Sequence, residues 1–326
     1  MMALKALPLL LWAAALILVG WVLSRLPLAD IAQSIARLSP GQWLAWTGIN
    51  LSIIFLATWR WQVLIDMLDV PVRFGELLMM RQAGQAVSFI TPGPQFGGEP
   101  LQAFWLWQRK LPIHSALLAV GLDRFYELWI NFSLLLLGVF LLPAFPAADI
   151  VDGRKIALAL LLVLLMLSLL GGLLLKQPER VLGWLSRVTR HWQQHPRLQA
   201  IQTHWQRLGR DVRRVIYEQK PALLQAFILS LCGWAGLIGE LWLLLSFFDL
   251  TLDFSAFLCI LVSMRLAFLL PLPGGIGTLE AALFLAFQYL NLPATAAIGV
   301  IALMRLRDAV VLMAGLVCLR ALHARE

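Results

Sequence analysis

Six apolar runs constrain this 326-residue chain more than anything else in it. Runs 6–23, 43–65, 114–142, 156–175, 222–248 and 293–319 match or approach the roughly 20 residues with which an α-helix crosses about 30 Å of hydrocarbon. Hydrophobic residues make up 60% of the chain and charged residues 13%, against about 25% charged in an ordinary soluble domain. A soluble fold would have to hide that excess from water, whereas a bilayer removes the need. Run 6–23 has the length of a secretory signal. No small-residue cleavage site follows it and five more runs do, so an uncleaved first helix is expected. Cys232, Cys259 and Cys318 all fall in apolar segments, which predicts buried thiols rather than a disulfide or a metal site.

The net charge of +8 has one main source. Between Lys176 and Lys220 stand ten Lys/Arg and three Asp/Glu, a local excess of +7. Such an excess can mark a nucleic-acid partner, but beside membrane spans it more often marks a cytoplasmic loop, because positive charge is retained inside, so no nucleic acid is expected. Alternation then fixes the remaining segments. Both termini fall in the cytoplasm, and the expected location is a bacterial inner membrane crossed several times.

Segments 77–90 and 101–107 are too short to cross, and they flank Pro92, Gly93, Gly97 and Gly98, a stretch that no helix interior tolerates. Segments 254–270 and 279–290 flank Pro273, Gly274, Gly275 and Gly277 in the same way. Each pair reads as a re-entrant hairpin, the first entering from the cytoplasm and the second from outside. Broken backbone at membrane depth requires a protein or water-filled surround, so two breaks imply a polar interior.

The two hairpins belong to a repeated series. Pro92-Gly93, Glu99, Pro112, Arg124 and Glu127 recur as Pro273-Gly274, Glu280, Pro293, Arg305 and Asp308, offset by 181 residues throughout. The expected fold is an all-α polytopic membrane protein of about six full spans plus two re-entrant hairpins, arranged as an inverted repeat. Its units are residues 1–145, with hairpin 76–108, and 146–326, with hairpin 254–291 and a cytoplasmic basic insert at 176–221. Such repeats with discontinuous helices typify secondary transporters.

Arg124 and Arg305 each stand 12 residues beyond their proline, about 18 Å along a helix and close to the bilayer centre. An unpaired charge at that depth costs several kcal/mol, roughly 3 on insertion scales, so partners are required. Glu127 and Asp308 supply them at i+3. Glu99, Asp123, Glu127, Glu240, Glu280 and Asp308 face Arg60, Arg124, Arg265, Arg305 and Arg307 in these segments, a nearly balanced network. The candidate translocation residues are Glu99, Arg124, Glu127, Glu280, Arg305 and Asp308, with Asp123, Glu240 and Arg265. Arg60, between Trp59 and Trp61, is expected to snorkel to the interface. A guanidinium cannot shed its proton and binds phosphate through two N–H groups, which suits an anionic or phosphorylated lipid head group.

In the basic insert, Leu198, Ile201, Trp205, Leu208, Val212 and Val215 recur at helical spacing. This predicts an amphipathic helix on an anionic lipid surface or, alternatively, an elbow packed on neighbouring helices. His191 and His195 stand at i,i+4 without a completing ligand, so no metal or other cofactor is expected. Phosphate-binding, HExxH and nucleophile-elbow motifs are absent from the sequence, which supplies no basis for hydrolase chemistry.

The segments PGPQFGGEP, LDRFYEL and PLPGGIGTLE resemble the flippase-like family of lysylphosphatidylglycerol synthase transmembrane regions, over nearly the whole chain. The resemblance implies movement of polar lipids between leaflets. It also implies a stand-alone transmembrane region without the aminoacyl-transfer domain, so lysyl transfer is not expected. Where many relatives carry an Arg shortly after Gly-Gly-Glu, Pro100-Leu101-Gln102 stands here. The alternatives are an intramembrane lipid-modifying enzyme with Glu99 or Glu280 as general base, and a non-catalytic partner of an envelope synthase. A homo-oligomer is compatible with each.

Overall fold

The computed structural model describes residues 36, 38–69, 71–91, 97–142, 153–176, 208–270 and 272–324. Run 6–23, the turn residues Pro92 and Gly93, and most of the basic insert, with His191 and His195, lie outside the described residues. All regular structure among the described residues is helical. The helices are α1 (Pro40–Asp66), α2 (Phe74–Ile90), α3 (Glu99–Gln108), α4 (Ile113–Leu141) and α5 (Gly153–Lys176). After a helical stretch over 208–218 come α6 (Lys220–Ser246), α7 (Phe254–Ala267), a 3-10 turn (Pro273–Gly275), α8 (Thr278–Tyr289) and α9 (Ala294–His323).

Four of these, α1, α4, α5 and α6, are long and apolar enough to cross a membrane. Helix α9 is longer still at 30 residues but carries Arg305, Arg307 and Asp308 at its centre, which lowers its apolarity while leaving its length. Helices α2, α3, α7 and α8, at 17, 10, 14 and 12 residues, reach only about 15–26 Å at 1.5 Å per residue. Each falls short of the hydrocarbon thickness.

Local chemistry sets the element ends. Ser39 caps α1 by accepting from the Gln42 N–H while the Gln42 side chain accepts from the Ser39 N–H, and Pro40 follows where its missing donor costs nothing. Pro112 and Pro293 are the N-caps of α4 and α9, as the repeated spacing predicts. The ends of α3 and α8 also match. Lys110 and Asn291, 181 residues apart, both take left-handed backbone (φ 69° and 53°). The next N–H, of Leu111 or Leu292, returns to the carbonyl of Leu106 or Phe287, the hydrogen bond of a Schellman cap.

The most extensive helix contacts pair α1 with α6 and α2 with α9. Two apolar cores organise the bundle. One joins Trp61 and Ile65 of α1 to α2, α3, the first half of α4 and Leu322 of α9. The other joins Trp46 of α1 to the end of α6, α7, α8 and the first half of α9. Trp46 and Ile65 are about 28 Å apart along one helix, so the α2–α3 and α7–α8 pairs pack at opposite ends of α1.

Helix α5 touches mainly α4 and presents Leu158, Leu162, Leu165 and Leu169 outward, the surface expected of a lipid-facing helix. In the stretch 208–218, Val215 is buried against Leu64, Met67 and Ala226, and Val212 is buried too. That apolar face is covered by protein. These turns therefore form an elbow rather than lying on lipid, and Asp211 accepts a hydrogen bond from Ser115 (2.7 Å) while Arg214 pairs with Asp69 (2.5 Å). The cysteines are free thiols, but Cys232 is exposed on the flank of α6 instead of buried.

Candidate functional site

Each copy of the repeated series closes into the same ionic unit. Arg124 of α4 donates Nε to Glu99, the first residue of α3, and Nη1 to Glu127 Oε2 at 3.0 Å. Arg305 of α9 donates Nε to Glu280 Oε1 in α8 at 2.6 Å and Nη1 to Asp308 Oδ2 at 3.1 Å. The second oxygen of each hairpin glutamate takes a glycine N–H, from Gly97 and from Gly277, at 2.8 Å in both cases. Glu99 and Glu280 thereby satisfy donors at the N-terminus of α3 and of α8, where a carboxylate also meets the positive end of the helix dipole.

Arg305 goes further and staples the broken backbone itself. Its Nη1 and Nη2 donate to the carbonyls of Gly274 and Gly275 at 3.0 and 3.1 Å. Gly274 sits at φ 57°, and a Cβ there would approach the Phe89 ring of α2 to 2.7 Å, so the turn demands glycine on both counts. The first hairpin has a counterpart constraint at Gly98. Its N–H donates to Ser88 Oγ at 2.9 Å, and a Cβ would strike the Gly84 backbone.

Outside these units the halves differ. On the first side, Asp123 is shared by Arg60 (2.7 Å) and Arg81 (3.1 Å), and Arg60 also reaches Ser230 Oγ (3.4 Å). Arg60 is buried, so it does not snorkel. The partner that retains it, Asp123, lies on α4, 63 residues away in sequence. On the second side, Arg307 is held by Glu240 (2.6 Å) and Asp308 (2.9 Å). Arg265 enters no ion pair among the described residues, and its guanidinium stacks on Trp234, 4.6 Å from the ring centre.

Between the halves lies a cavity of about 490 Å³. Of the residues singled out in the sequence, Arg124, Glu127, Asp308, Glu240 and Arg265 line it. Glu99, Asp123, Glu280 and Arg305 do not line it. They stand behind it as the groups that hold the lining in position, because both oxygens of each hairpin glutamate are already engaged. Arg60, Arg81 and Arg307 join the wall, with Asn50, Gln82, Gln85 and Asn131. Arg81 was missed because it lies in an apolar arm whose depth the pattern does not fix. Its signal was present all the same, as a charge within segment 77–90.

Five arginines thus face the cavity with three carboxylates. Val163, Met166 and Leu167 of the lipid-facing α5 complete an apolar side. No cluster of His, Cys, Asp and Glu suited to a metal occurs among the described residues.

Comparison with known proteins agrees with this architecture. The model of the lysylphosphatidylglycerol synthase TM region matches residues 6–315. A UPF0104 membrane protein of Methanothermobacter thermautotrophicus is 23% identical over 80% of this chain and 79% of its own length. Another, from Methanocaldococcus jannaschii, is 25% identical over 79% of this chain and 77% of its own. No solved structure matches. A match over nearly its entire length, on a helical membrane bundle, makes this chain a member of the lysylphosphatidylglycerol synthase transmembrane-region family.

Proposed function

We propose that the protein is a lipid translocator that passes a polar or phosphorylated head group between leaflets through the cavity at the bundle centre. The observation that carries this reading is the mixed wall of that cavity, with five arginines and three carboxylates on one part and apolar side chains of α5 on another. An amphiphile needs both surfaces, one for its charged end and one continuous with the bilayer for its chains. A volume of about 490 Å³ falls in the range of small-molecule sites, roughly 300–1,000 Å³.

The two units 1–145 and 146–326 are proposed to lie inverted in a bacterial inner membrane, with both termini and the insert 176–221 in the cytoplasm. Packing of the two hairpins at opposite ends of α1 supports the inversion. The short α2, α3, α7 and α8 support re-entry. Two like units that can exchange conformations give a route to alternating access. A general-base role for Glu99 or Glu280 has weaker support, since Arg124 or Arg305 and a glycine N–H occupy both oxygens of each.

The test is head-group movement in reconstituted vesicles, read as loss of protection of an inner-leaflet fluorescent phospholipid from a membrane-impermeant reductant. The native protein accelerates the loss. Glu127→Gln, which removes a charge from the wall while keeping the side chain's shape, slows it about tenfold, equivalent to about 1.4 kcal/mol. Protection identical to that of protein-free vesicles, for anionic and zwitterionic lipids alike, would overturn the proposal.

A further inference from the structure

Six arginines surround the cavity and its supports, and five of them are ion-paired. Arg60 and Arg81 share Asp123, Arg124 has Glu99 and Glu127, Arg305 has Glu280 and Asp308, and Arg307 has Glu240 and Asp308. Arg265 is the exception among the described residues. Its Nε is buried with no hydrogen-bond acceptor. It faces the cavity, and it shares a small adjoining recess with Asn131 and Trp234.

A guanidinium cannot escape burial by losing its proton, so its charge persists wherever the fold puts it. Stacking on Trp234 compensates part of the lost hydration, and among the described residues no hydrogen bond engages the N–H edge of the group. That edge presents parallel donors, the geometry that binds two oxygens of one phosphate. Arg307 lines the same cavity, but Glu240 and Asp308 already hold its charge.

We propose that the Arg265 guanidinium, backed by Trp234, is the subsite for the phosphate of an anionic ligand, in the bilayer the phosphate ester of a lipid head group. The assignment rests on the translocator reading for its cargo, but not for its chemistry. It makes phosphate, rather than a cationic group on the same lipid, the part of the head group that the cavity holds.

Thermal unfolding of the purified protein in non-ionic detergent tests it with three probes: inorganic phosphate, dihexanoylphosphatidic acid, and dihexanoylglycerol as the phosphate-free control. A ligand that binds only the folded state raises the melting temperature. The phosphatidic acid stabilises the native protein and the glycerolipid does not. The shift disappears in Arg265→Met and is reduced in Arg265→Lys, which keeps the charge and loses the fork. Arg265→Met without ligand melts no lower than the native protein, because it deletes a buried charge that has no ion pair among the described residues. Stabilisation by phosphatidic acid alone assigns the site to a lipid, and an equal shift with inorganic phosphate extends it to the free anion.

Equal shifts in native and Arg265→Met proteins, or none with either phosphate probe, overturn the subsite. Two vesicle results separate this failure from that of the translocator. An Arg265-dependent shift without head-group movement keeps the subsite and removes the translocator. Undiminished movement in an Arg265→Met protein that phosphatidic acid stabilises as much as it does the native one keeps the translocator and removes the subsite.

Discussion

At the scale of residues, the central question is how a bundle of apolar helices retains so many ionised groups. Pairing answers it, and pairing makes each partner dependent on the other. Arg305 illustrates this, since it neutralises Glu280 and Asp308 while satisfying the carbonyls of Gly274 and Gly275. Arg305→Ala leaves Glu280, only 12% exposed, without its cation and leaves Asp308 to Arg307 alone. The expected cost is about 3–5 kcal/mol, the usual loss when one partner of a buried pair is removed. Arg305→Lys recovers part of it, because an ammonium keeps the charge but cannot span both carboxylates and both carbonyls. Unfolding of the two variants in a denaturing detergent series checks the order native, Lys, Ala. Equal stability of all three would mean that water already satisfies the carboxylates.

At the scale of elements, close approach substitutes for apolar drive, because in lipid helices gain little from hiding hydrophobic surface from one another. The α2–α9 pair depends on Gly315, where a Cβ would run into the carbonyl of Gln82 and come within 2.7 Å of the Ala86 methyl. Gly315→Leu forces the two helices apart at an expected cost of about 1–3 kcal/mol. Gln82 lies on the cavity wall, so under the proposed translocator function the same change is also expected to slow head-group movement. A variant with native melting temperature and native transport would show that α2 and α9 slide freely past the added bulk. Asp253 at the start of α7 gives an element-scale pH dependence. It accepts from Ser255 and from the Ala256 N–H, and these bonds hold its carboxyl below the usual range. A depressed folded-state value means that this cap contributes above the unfolded value of about 3.9 and is lost as pH falls below it.

At the scale of the whole molecule, the proposed inversion makes a prediction that packing alone does not test. Gln108 and Tyr289 occupy matching positions, 181 residues apart, at the exposed ends of α3 and α8. In a background without Cys232, Cys259 and Cys318, Gln108→Cys is expected to react with an impermeant thiol reagent from the cytoplasmic face, and Tyr289→Cys from the opposite face. Labelling of both from one face would remove the inversion and, with it, the symmetric route to alternating access.

The sequence by itself determined what depends on short-range geometry. The span lengths, the Pro112 and Pro293 helix starts, the placement of Arg124 and Arg305 deep within their helices, and their i+3 partners all follow from the rise and turn of a single helix. Tertiary structure alone decided which charges face the cavity. Arg60 finds Asp123 across 63 residues and Ser230 across 170, Arg307 finds Glu240 across 67, and Arg265 finds an aromatic ring in place of a carboxylate. No periodicity encodes such pairings, because each depends on how separate helices rotate against one another. That rotation is fixed by contacts such as Gly315 against α2, and it left the Arg265 guanidinium without an ion pair among the described residues.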